Sequence, residues 1–406
     1  MSPVMPRNIP VSYVLTFLFN STFWMGVWLL YYLRFTDYAG VGLIESVMVA
    51  SFLISEIPTG AVADIFGKKK TMAIAFLLSG IGNLIMGFAG GVSHLVVSVI
   101  IITFGHAFYS GTLEALQYDT LLEEGKEKLF EKVVANTRSI GAIGSASASI
   151  IGGLLYVWQP SSPFILLAVL HLCAVIVVLW LREPIVDSVK FSWKNYLEQT
   201  KHGFTQLFGT VSQRTLIILL LLIGAFSFIA YEVLIEALAV EYGYRGNHLG
   251  ILIAATFGVS AIASQLTPFV SKRIAELPLV LLSGLAMGSL FILNGLVDFW
   301  LGGVLVLVWA GVNTIYNNVV SLVINRQTKS KFRATTLSTF SFVKSIPYLF
   351  VGIGLGMMMD HYSVKTTAIF LGLLLVCSLF ASALLSQKIR KIFLLQRKNV
   401  NLKLSR

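Results

Sequence analysis

Charged residues are scarce in this sequence. Aspartate, glutamate, lysine and arginine together make up 12% of its 406 residues, against roughly 25% in an average soluble domain. A soluble fold of this length would need much more polar surface to face water, whereas a surface that faces lipid needs none. The scarcity argues against one large soluble core, and uncharged apolar runs of about 18 residues or more recur along the whole chain.

Cysteine is nearly absent as well, and both cysteines, Cys173 and Cys377, lie inside apolar runs. Their spacing gives neither a disulfide framework nor a set of metal ligands. The sequence also lacks a nucleophile elbow, a zinc-binding spacing and a phosphate-binding loop. We therefore expect no cofactor, no metal and no enzymatic activity. A lipid-modifying enzyme or a membrane-bound sensor is disfavoured.

Long apolar runs dominate the sequence instead, and they predict an all-α membrane protein. A helix needs about 20 residues to cross the hydrocarbon core of a bilayer, and in lipid it satisfies its own backbone polar groups. The first run is too long for a signal peptide and has no small-x-small cleavage site, so we expect it to remain as a span. The twelve predicted transmembrane helices are 11–33, 41–62, 71–90, 95–118, 137–157, 163–181, 215–239, 248–270, 278–297, 300–324, 335–358 and 366–387.

Lysine and arginine are distributed unevenly between the two sides of these spans. If the N-terminus is cytoplasmic, cytoplasmic segments hold 26 of the 30 basic residues, and the opposite loops hold Arg34, Arg245 and Lys365. The positive-inside rule then predicts that both termini are cytoplasmic in a multi-pass protein of the inner (plasma) membrane. The net charge of +11 is expected to face anionic lipid headgroups and not nucleic acid.

The longest loop, 182–213, interleaves aromatic and apolar residues with lysine and glutamate. This pattern is typical of an amphipathic helix on a membrane surface. The loop predicts a cytoplasmic linker between two six-helix bundles, 1–181 and 214–390, with a basic cytoplasmic tail at 391–406. Paired halves are common in transporters, with the substrate site near the membrane midplane between them. We expect the protein to work as a monomer.

The loop after the second span carries a signature. Residues 60–70 read GAVADIFGKKK, which resembles the loop of the major facilitator superfamily, with its G-x-x-x-D, a further glycine and basic residues between spans 2 and 3. With twelve spans, a division into six and six and a central linker, the resemblance covers the whole chain. It implies the major facilitator fold and transport by alternating access. Ile65 departs from the pattern, because the family often has Arg or Lys there.

The resemblance also implies a conformational latch in this loop. Its members here are Gly60, Asp64, Gly67, Lys68 and Asp119. The glycines let helices approach closely and turn sharply, and Asp64 would face the positive N-terminus of span 11. In the family, a basic residue at the position of Lys68 pairs with an acid at the cytoplasmic end of span 4, here Asp119. This charge set holds the two halves in one state and releases them in the other.

Span 5 resembles, in part, a signature of drug–proton antiporters. Gly144, Gly152 and Gly153 are present, but Ala148 and Ser149 replace the central Gly-Pro. The span-4 arginine of many proton-coupled members is absent too. Small residues at this spacing permit close helix packing whatever the direction of transport. The resemblance to the antiporter signature favours export, and the missing proline leaves import open.

Polar and ionisable side chains inside the spans are candidate proton-coupling or substrate-cavity residues, because such groups are costly in lipid. The candidates are Asn20, Trp24, His106, Glu114, Arg138, Glu232, Asn313, Asn317 and Lys344. Burial would favour the protonated form of Glu114 and make it a proton carrier, and Glu232 would bind a proton or a cation. Lys344 is expected to pair with an acid or to bind an anionic group of the substrate.

Some of these residues have a second interpretation. His106 is either a group that titrates near physiological pH or a hydrogen-bonded packing residue. Asn313 and Asn317 share a helix face, where asparagines either bind substrate or join helices. Trp24 belongs to an aromatic stripe that either lines an apolar pocket or packs against other helices and lipid.

Together these features predict a secondary active transporter of a small molecule. The first hypothesis is export of drugs or metabolites, coupled to inward proton flow. The alternative is an importer or facilitator of a small anionic or polar nutrient, with Lys344 and Arg138 holding an anionic group. The sequence does not predict the identity of the substrate.

Overall fold

The structure is a computed structural model that describes residues 6–55, 67–184, 193–209, 211–328 and 332–385. These residues form helices and their connections, and they contain no β-strand. The chain divides into two compact units. The first comprises Met1–Trp193 and Arg245–Ala254, and the second comprises Lys194–Tyr244 and Ala255–Arg406.

The first unit is built from seven described helices and a short 3-10 turn at Glu127–Leu129. The helices are α1 (Asn8–Asn20), α2 (Trp28–Tyr32), α3 (Tyr38–Ser55), α4 (Lys68–Gly87), α5 (Val92–Glu123), α6 (Phe130–Trp158) and α7 (Ser162–Val178). Its core is aromatic and aliphatic, and Phe19 of α1 packs there between Phe76 of α4 and Tyr109 of α5.

The second unit contains the helices that follow, with one π-helical segment at Ala230–Leu234. The helices are α8 (Trp193–Phe208), α9 (Val211–Ile229), α10 (Ile235–Glu241), α11 (Gly246–Arg273), α12 (Glu276–Asn294), α13 (Phe299–Gln327), α14 (Arg333–Tyr362) and α15 (Val364–Leu385). The first turns of α11 are the exception, because they group with the first unit.

Ten of the described helical segments are long and apolar enough to cross a membrane. They correspond to predicted spans 2–5 and 7–12. The predicted sixth span is represented by α7, an apolar helix of 17 residues at Ser162–Val178. The fold is therefore an all-helical, multi-pass membrane architecture, and the count of twelve spans stays a prediction.

The first predicted span, 11–33, is not one continuous helix, and this expectation was wrong. The backbone leaves the helix after α1 and re-enters it at α2. Hydroxyl groups compete with the helical hydrogen bonds at this point: Ser21 Oγ donates to the Phe17 carbonyl at 2.7 Å, and Thr22 Oγ1 donates to the Asn20 carbonyl at 3.2 Å. Non-helical backbone at membrane depth is tolerated where protein covers it.

Protein covers this break from the side of α6. A Cβ atom added to Gly152 would lie 1.6 Å from the carbonyl oxygen of Phe23, so the broken backbone rests directly on α6. Phe23 is 7% exposed and packs with Ala148 of the same helix. The glycine of the predicted span-5 signature thus has a defined role in the first unit, which is to admit a neighbouring backbone.

Large aromatic side chains are exposed at the ends of two membrane helices. Trp158 ends α6 with 78% of its surface exposed, and Trp300 lies in the first turn of α13 with 80% exposed. Tryptophan is enriched at the boundary between hydrocarbon and headgroups, so we expect these two helix ends to lie near that boundary.

The predicted amphipathic linker contains a helix, α8. Leu207 on this helix is buried, and Gly203 packs so closely on α14 that an added Cβ would lie 2.4 Å from Thr339 Oγ1. The ring of His202 stacks on Phe332 with centroids 4.9 Å apart. Within the second unit, α8 therefore lies against the start of α14. The predicted basic tail at 391–406 lies outside the described residues.

Candidate functional site

The loop signature is described from Gly67 onwards, and Gly60 and Asp64 lie outside the described residues. Gly67 precedes α4 with a φ of +88°, a backbone conformation that favours glycine. Lys68 begins α4, and its ammonium group forms an ion pair with the carboxylate of Asp119 near the end of α5. The pairing that the resemblance implied for these two side chains is thus present in the first unit, and its action as a latch stays a prediction.

A third charged residue, Glu183, lies at this place and was not predicted from the sequence. Its Oε1 accepts a hydrogen bond from the backbone N–H of Lys68 at 2.6 Å, and its Oε2 accepts one from the N–H of Lys69 at 2.8 Å. The first N–H groups of a helix have no partner within the helix, and a carboxylate there also meets the positive end of the helix dipole. No local sequence pattern signals this contact, because 115 residues separate Glu183 from Lys68.

A network of polar side chains links three helices of the second unit. Ser227 of α9 donates its hydroxyl hydrogen to Asn313 Oδ1 of α13 at 2.6 Å. Asn317, one turn further along α13, donates its amide to Asn313 Oδ1 at 3.1 Å and to the Asn313 carbonyl at 2.9 Å. Lys344 of α14 donates its ammonium hydrogen to Asn317 Oδ1 at 3.4 Å. The structure thus brings three predicted site residues together and adds Ser227.

The stem of Lys344 passes over a glycine of α9. A Cβ atom added to Gly224 would lie 3.5 Å from Lys344 Cβ and 3.0 Å from the hydroxyl oxygen of Tyr316. That hydroxyl donates to the Leu220 carbonyl at 2.5 Å, and Tyr316 is fully buried. Gly224 therefore makes room for the side chain that carries the cation, while the buried tyrosine fixes α13 against α9.

Glu232 lies in the π-helical segment that follows α9. A π segment inserts an extra residue into a helical turn, and such segments occur often at functional sites. Glu232 is half-buried, and it is an acid of the same unit as Lys344. The two side chains form no direct ion pair within 4.0 Å among the described contacts. The second unit thus contains an acid and a base within its membrane helices that are not joined by a direct ion pair.

Two predicted cavity residues of the first unit have protein partners. Trp24 donates its indole N–H to Asn83 Oδ1 at 2.8 Å and stacks on Phe164 with centroids 6.3 Å apart. Asn20 donates its amide to the Thr16 carbonyl at 2.9 Å, and its side chain packs on Gly141 of α6. Both side chains are half-buried, and the structure places them beside the break in the first span.

His106 belongs to an aromatic cluster around Phe19. Its ring centroid lies 4.7 Å from that of Phe19, whose other neighbours include Tyr109, stacked at 3.6 Å, and His171, stacked at 5.3 Å. His171 is 1% exposed, and neither of its ring nitrogens has a hydrogen-bond partner in the described part of the chain. The ring contacts of His106 are those of a packing residue, and its titration stays a prediction.

The expected burial of Glu114 is not present, because its side chain is exposed in the first unit. The reason is the direction of its helix face: Leu113 and Leu116 on α5 are buried in the core, and Glu114 points away from them. Arg138 on α6 is exposed too. Among the described residues, no group of three or more His, Cys, Asp or Glu side chains could hold a metal ion.

Comparison with known proteins points to one family. The sequence profile of the Major Facilitator Superfamily matches residues 11–350. An uncharacterized MFS-type transporter, YxaM of Bacillus subtilis (strain 168), is 24% identical over 268 residues. That match covers 64% of this chain and 65% of the relative, slightly less than two thirds of its length.

Solved structures show the same fold at low sequence identity. The nucleoside transporter NupG superposes with a TM-score of 0.79 at 18% identity, over 92% of this chain and 98% of NupG. A D-xylose-proton symporter gives a TM-score of 0.67 at 14% identity, over 91% and 96% of the two chains. A bacterial homolog of the human lysosomal transporter Spinster gives 0.71 at 13%, over 93% and 96%.

Proposed function

The chain belongs to the Major Facilitator Superfamily, and from that premise we propose that it is a proton-coupled secondary transporter of a small polar solute with an anionic group. The family and the transporter fold support membrane transport as such. The solute class and the coupling are proposals that rest on the polar network of the second unit, in which Lys344 is the central group.

Lys344 supports an anionic solute because of what surrounds it. A lysine inside a membrane helix is costly unless its charge is compensated. Its hydrogen bond to Asn317 Oδ1 is long, at 3.4 Å, and the neighbouring Asn313 and Ser227 supply further polar groups. A carboxylate or phosphate would gain charge-assisted hydrogen bonds from Lys344. An apolar drug would gain nothing from the ammonium group or from the two amides.

Glu232 supports coupling to protons. When Glu232 is ionised it attracts Lys344, and when it takes up a proton that attraction is lost and Lys344 is available to an anion. Protonation of Glu232 then favours binding of the anionic solute to Lys344. This relation favours co-transport of proton and solute, which corresponds to the importer that the sequence predicts as the alternative. Export remains a second candidate, supported by the partial antiporter signature in the sequence of α6.

We place the protein as a monomer in the inner (plasma) membrane with both termini cytoplasmic, and with anionic lipids and protons as its partners. The uneven distribution of basic residues supports that orientation. The loop pair Lys68–Asp119, with Gly60, Asp64 and Gly67, is proposed as the latch of alternating access.

Reconstituted vesicles with an imposed pH gradient test this function. Purified protein is assayed for flux of labelled dicarboxylates, sugar phosphates, nucleosides and lipophilic cations, while an internal dye reports proton movement. We expect an anionic solute to enter together with protons when the outside is acidic, and we expect a strongly reduced flux at low solute concentration in vesicles that contain the Lys344→Gln protein. Solute leaving against entering protons would favour export, and solute movement without proton movement would overturn the coupling.

A further inference from the structure

The carboxylate of Glu183 lies at the start of α4, where it satisfies two backbone donors. The N–H groups of Lys68 and Lys69 point out of the first turn, and Glu183 accepts both at 2.6 and 2.8 Å. A carboxylate at a helix N-terminus satisfies N–H groups that have no partner within the helix and is stabilised by the positive end of the helix dipole. Because Lys68 is the first residue of α4, the contact also fixes the position of the Lys68 Cα atom, from which the side chain extends.

The backbone conformation of Gly67 and its lack of a side chain permit this contact. Its φ of +88° turns the chain into α4 in a conformation that other residues rarely adopt. A Cβ atom at this position would also lie 3.1 Å from Glu183 Oε2 and 3.2 Å from its carboxyl carbon. The glycine of the family signature thus serves a second purpose in this chain, which is to leave space for the carboxylate of Glu183.

Glu183 is itself held in place by the residues around it. Asn8 pairs with the backbone of Arg182, donating to its carbonyl at 2.8 Å and accepting from its N–H at 2.8 Å. The amide of Asn8 also donates to Thr120 Oγ1 at 2.9 Å, and Thr120 is adjacent in sequence to Asp119. The ammonium group of Lys69 donates to the Leu179 carbonyl at 2.7 Å. The root of the central linker, residues 179–183, is therefore fixed to α1, α4 and α5.

We infer that Glu183 is a positioning residue for the ion pair between Lys68 and Asp119. It acts through the backbone, holding the first turn of α4 so that the Lys68 side chain, 10% exposed, reaches the Asp119 carboxylate. Because Glu183 belongs to the root of the linker, any displacement of that root also displaces the ion pair. The inference goes beyond the proposed transport cycle and does not depend on which solute is carried.

The acylation rate of the Lys68 amine tests this inference. Folded protein in detergent is treated with an acylating reagent, and mass spectrometry gives the rate at Lys68 relative to exposed Lys70. A helix-capping contact of this kind shifts a local equilibrium by about fivefold. We therefore expect Glu183→Gln to raise the relative acylation rate at Lys68 about fivefold. The oxygen of the glutamine amide can still accept one of the two hydrogen bonds. Its NH2 group is a donor and cannot accept a hydrogen bond from the second backbone N–H. Amide hydrogen exchange at Lys68 and Lys69 should rise as well.

Two further variants make the test specific. Glu123→Gln removes an exposed carboxylate from the end of α5 and should leave the rate at Lys68 unchanged. Glu183→Asp keeps the charge and shortens the side chain by one methylene, so it should restore most of the protection; it also serves if Glu183→Gln does not fold. An unchanged rate at Lys68 in Glu183→Gln would overturn the inference, and so would an equal rise in Glu123→Gln. Transport of any solute is not measured, so the outcome is separate from that of the proposed function.

Discussion

Lys344 and Asn317 are joined by a hydrogen bond from the ammonium group to Oδ1, 3.4 Å long, within the membrane helices of the second unit. Asn317 uses its own amide hydrogens on Asn313, so its oxygen is oriented toward the lysine. The two asparagine amides therefore orient the ammonium group of Lys344. They do not neutralise its positive charge, which is left for Glu232 or an anionic solute to compensate. This arrangement is the basis of the first two predictions.

Replacing Lys344 by glutamine should weaken solute binding without unfolding the protein. Hydrogen bonds to a charged group contribute about 1.5–3 kcal/mol, so we expect the half-saturating concentration of an anionic solute to rise by roughly ten- to a hundredfold. Lys344→Arg keeps the charge and should lose less. Lys272→Gln, which removes an exposed cation at the end of α11, is the control. Equal loss in Lys272→Gln, or unchanged saturation in Lys344→Gln, would contradict the prediction.

Replacing Glu232 by glutamine should separate solute movement from proton movement. Glutamine resembles the protonated acid, so Lys344 stays available and exchange of labelled for unlabelled solute should continue. Accumulation driven by a pH gradient should be lost, since the group that binds the proton is gone. Glu114→Gln tests the competing assignment, in which Glu114 is the proton carrier. If Glu114→Gln abolishes gradient-driven accumulation and Glu232→Gln does not, Glu114 is the proton carrier and the assignment of Glu232 is wrong.

Two glycines of α11 should respond oppositely to alanine. A Cβ atom at Gly250 would lie 2.4 Å from the Ser149 carbonyl oxygen of α6, whereas nothing lies within 4 Å of one at Gly258 in the described part of the chain. Overpacking of this kind costs about 1–3 kcal/mol, while alanine in an open helical position gains about 0.5–1 kcal/mol over glycine. Thermal unfolding in detergent should show a lower Tm for Gly250→Ala and an equal or higher one for Gly258→Ala. Equal Tm values for the two variants would show that the close packing is not required.

Apolar runs were enough to locate most of the membrane helices, because burial in lipid demands about 20 uncharged residues whatever the neighbours are. The break after Asn20 was not predictable in that way. It depends on the backbone of Phe23 resting on Gly152, a contact between segments that are far apart in the sequence. Hydropathy reports how apolar a segment is, and it carries no information on where another helix presses against it.

The candidate site shows the same limit. A lysine within an apolar run is conspicuous, so Lys344 and the asparagines near it were identified from sequence. Ser227 was missed, because one serine among apolar residues costs little and gives no signal. Glu114 was selected because it is an ionisable residue inside a span, but the side of the helix that faces the core depends on the tertiary packing of α5. Glu183 lies in a loop, where a carboxylate is unremarkable until the start of α4 is seen beside it.

Two helical segments decide whether the chain crosses the membrane twelve times. The broken pair α1–α2 and the 17-residue α7 are the segments whose crossing is still a prediction. Single cysteines at exposed Arg7, Arg34, Gln159 and Glu198, in a protein with Cys173 and Cys377 changed to alanine, place one label on each side of each segment. An impermeant maleimide applied to intact cells should label positions 34 and 159 only.

The expected labelling pattern follows from the distribution of basic residues and from the length of α7. Moving a basic cluster across the membrane is opposed by the positive-inside bias, so positions 7 and 198 should react only after the membrane is made permeable. A helix of 17 residues at 1.5 Å per residue is about 25 Å long, and it crosses a core of about 30 Å if its neighbours thin the bilayer or flanking residues reach the interface. Labelling of 159 and 198 from the same side would mean that α7 does not cross. The chain would then have fewer than twelve spans. Each helix after α7 would cross the membrane in the direction opposite to the predicted one.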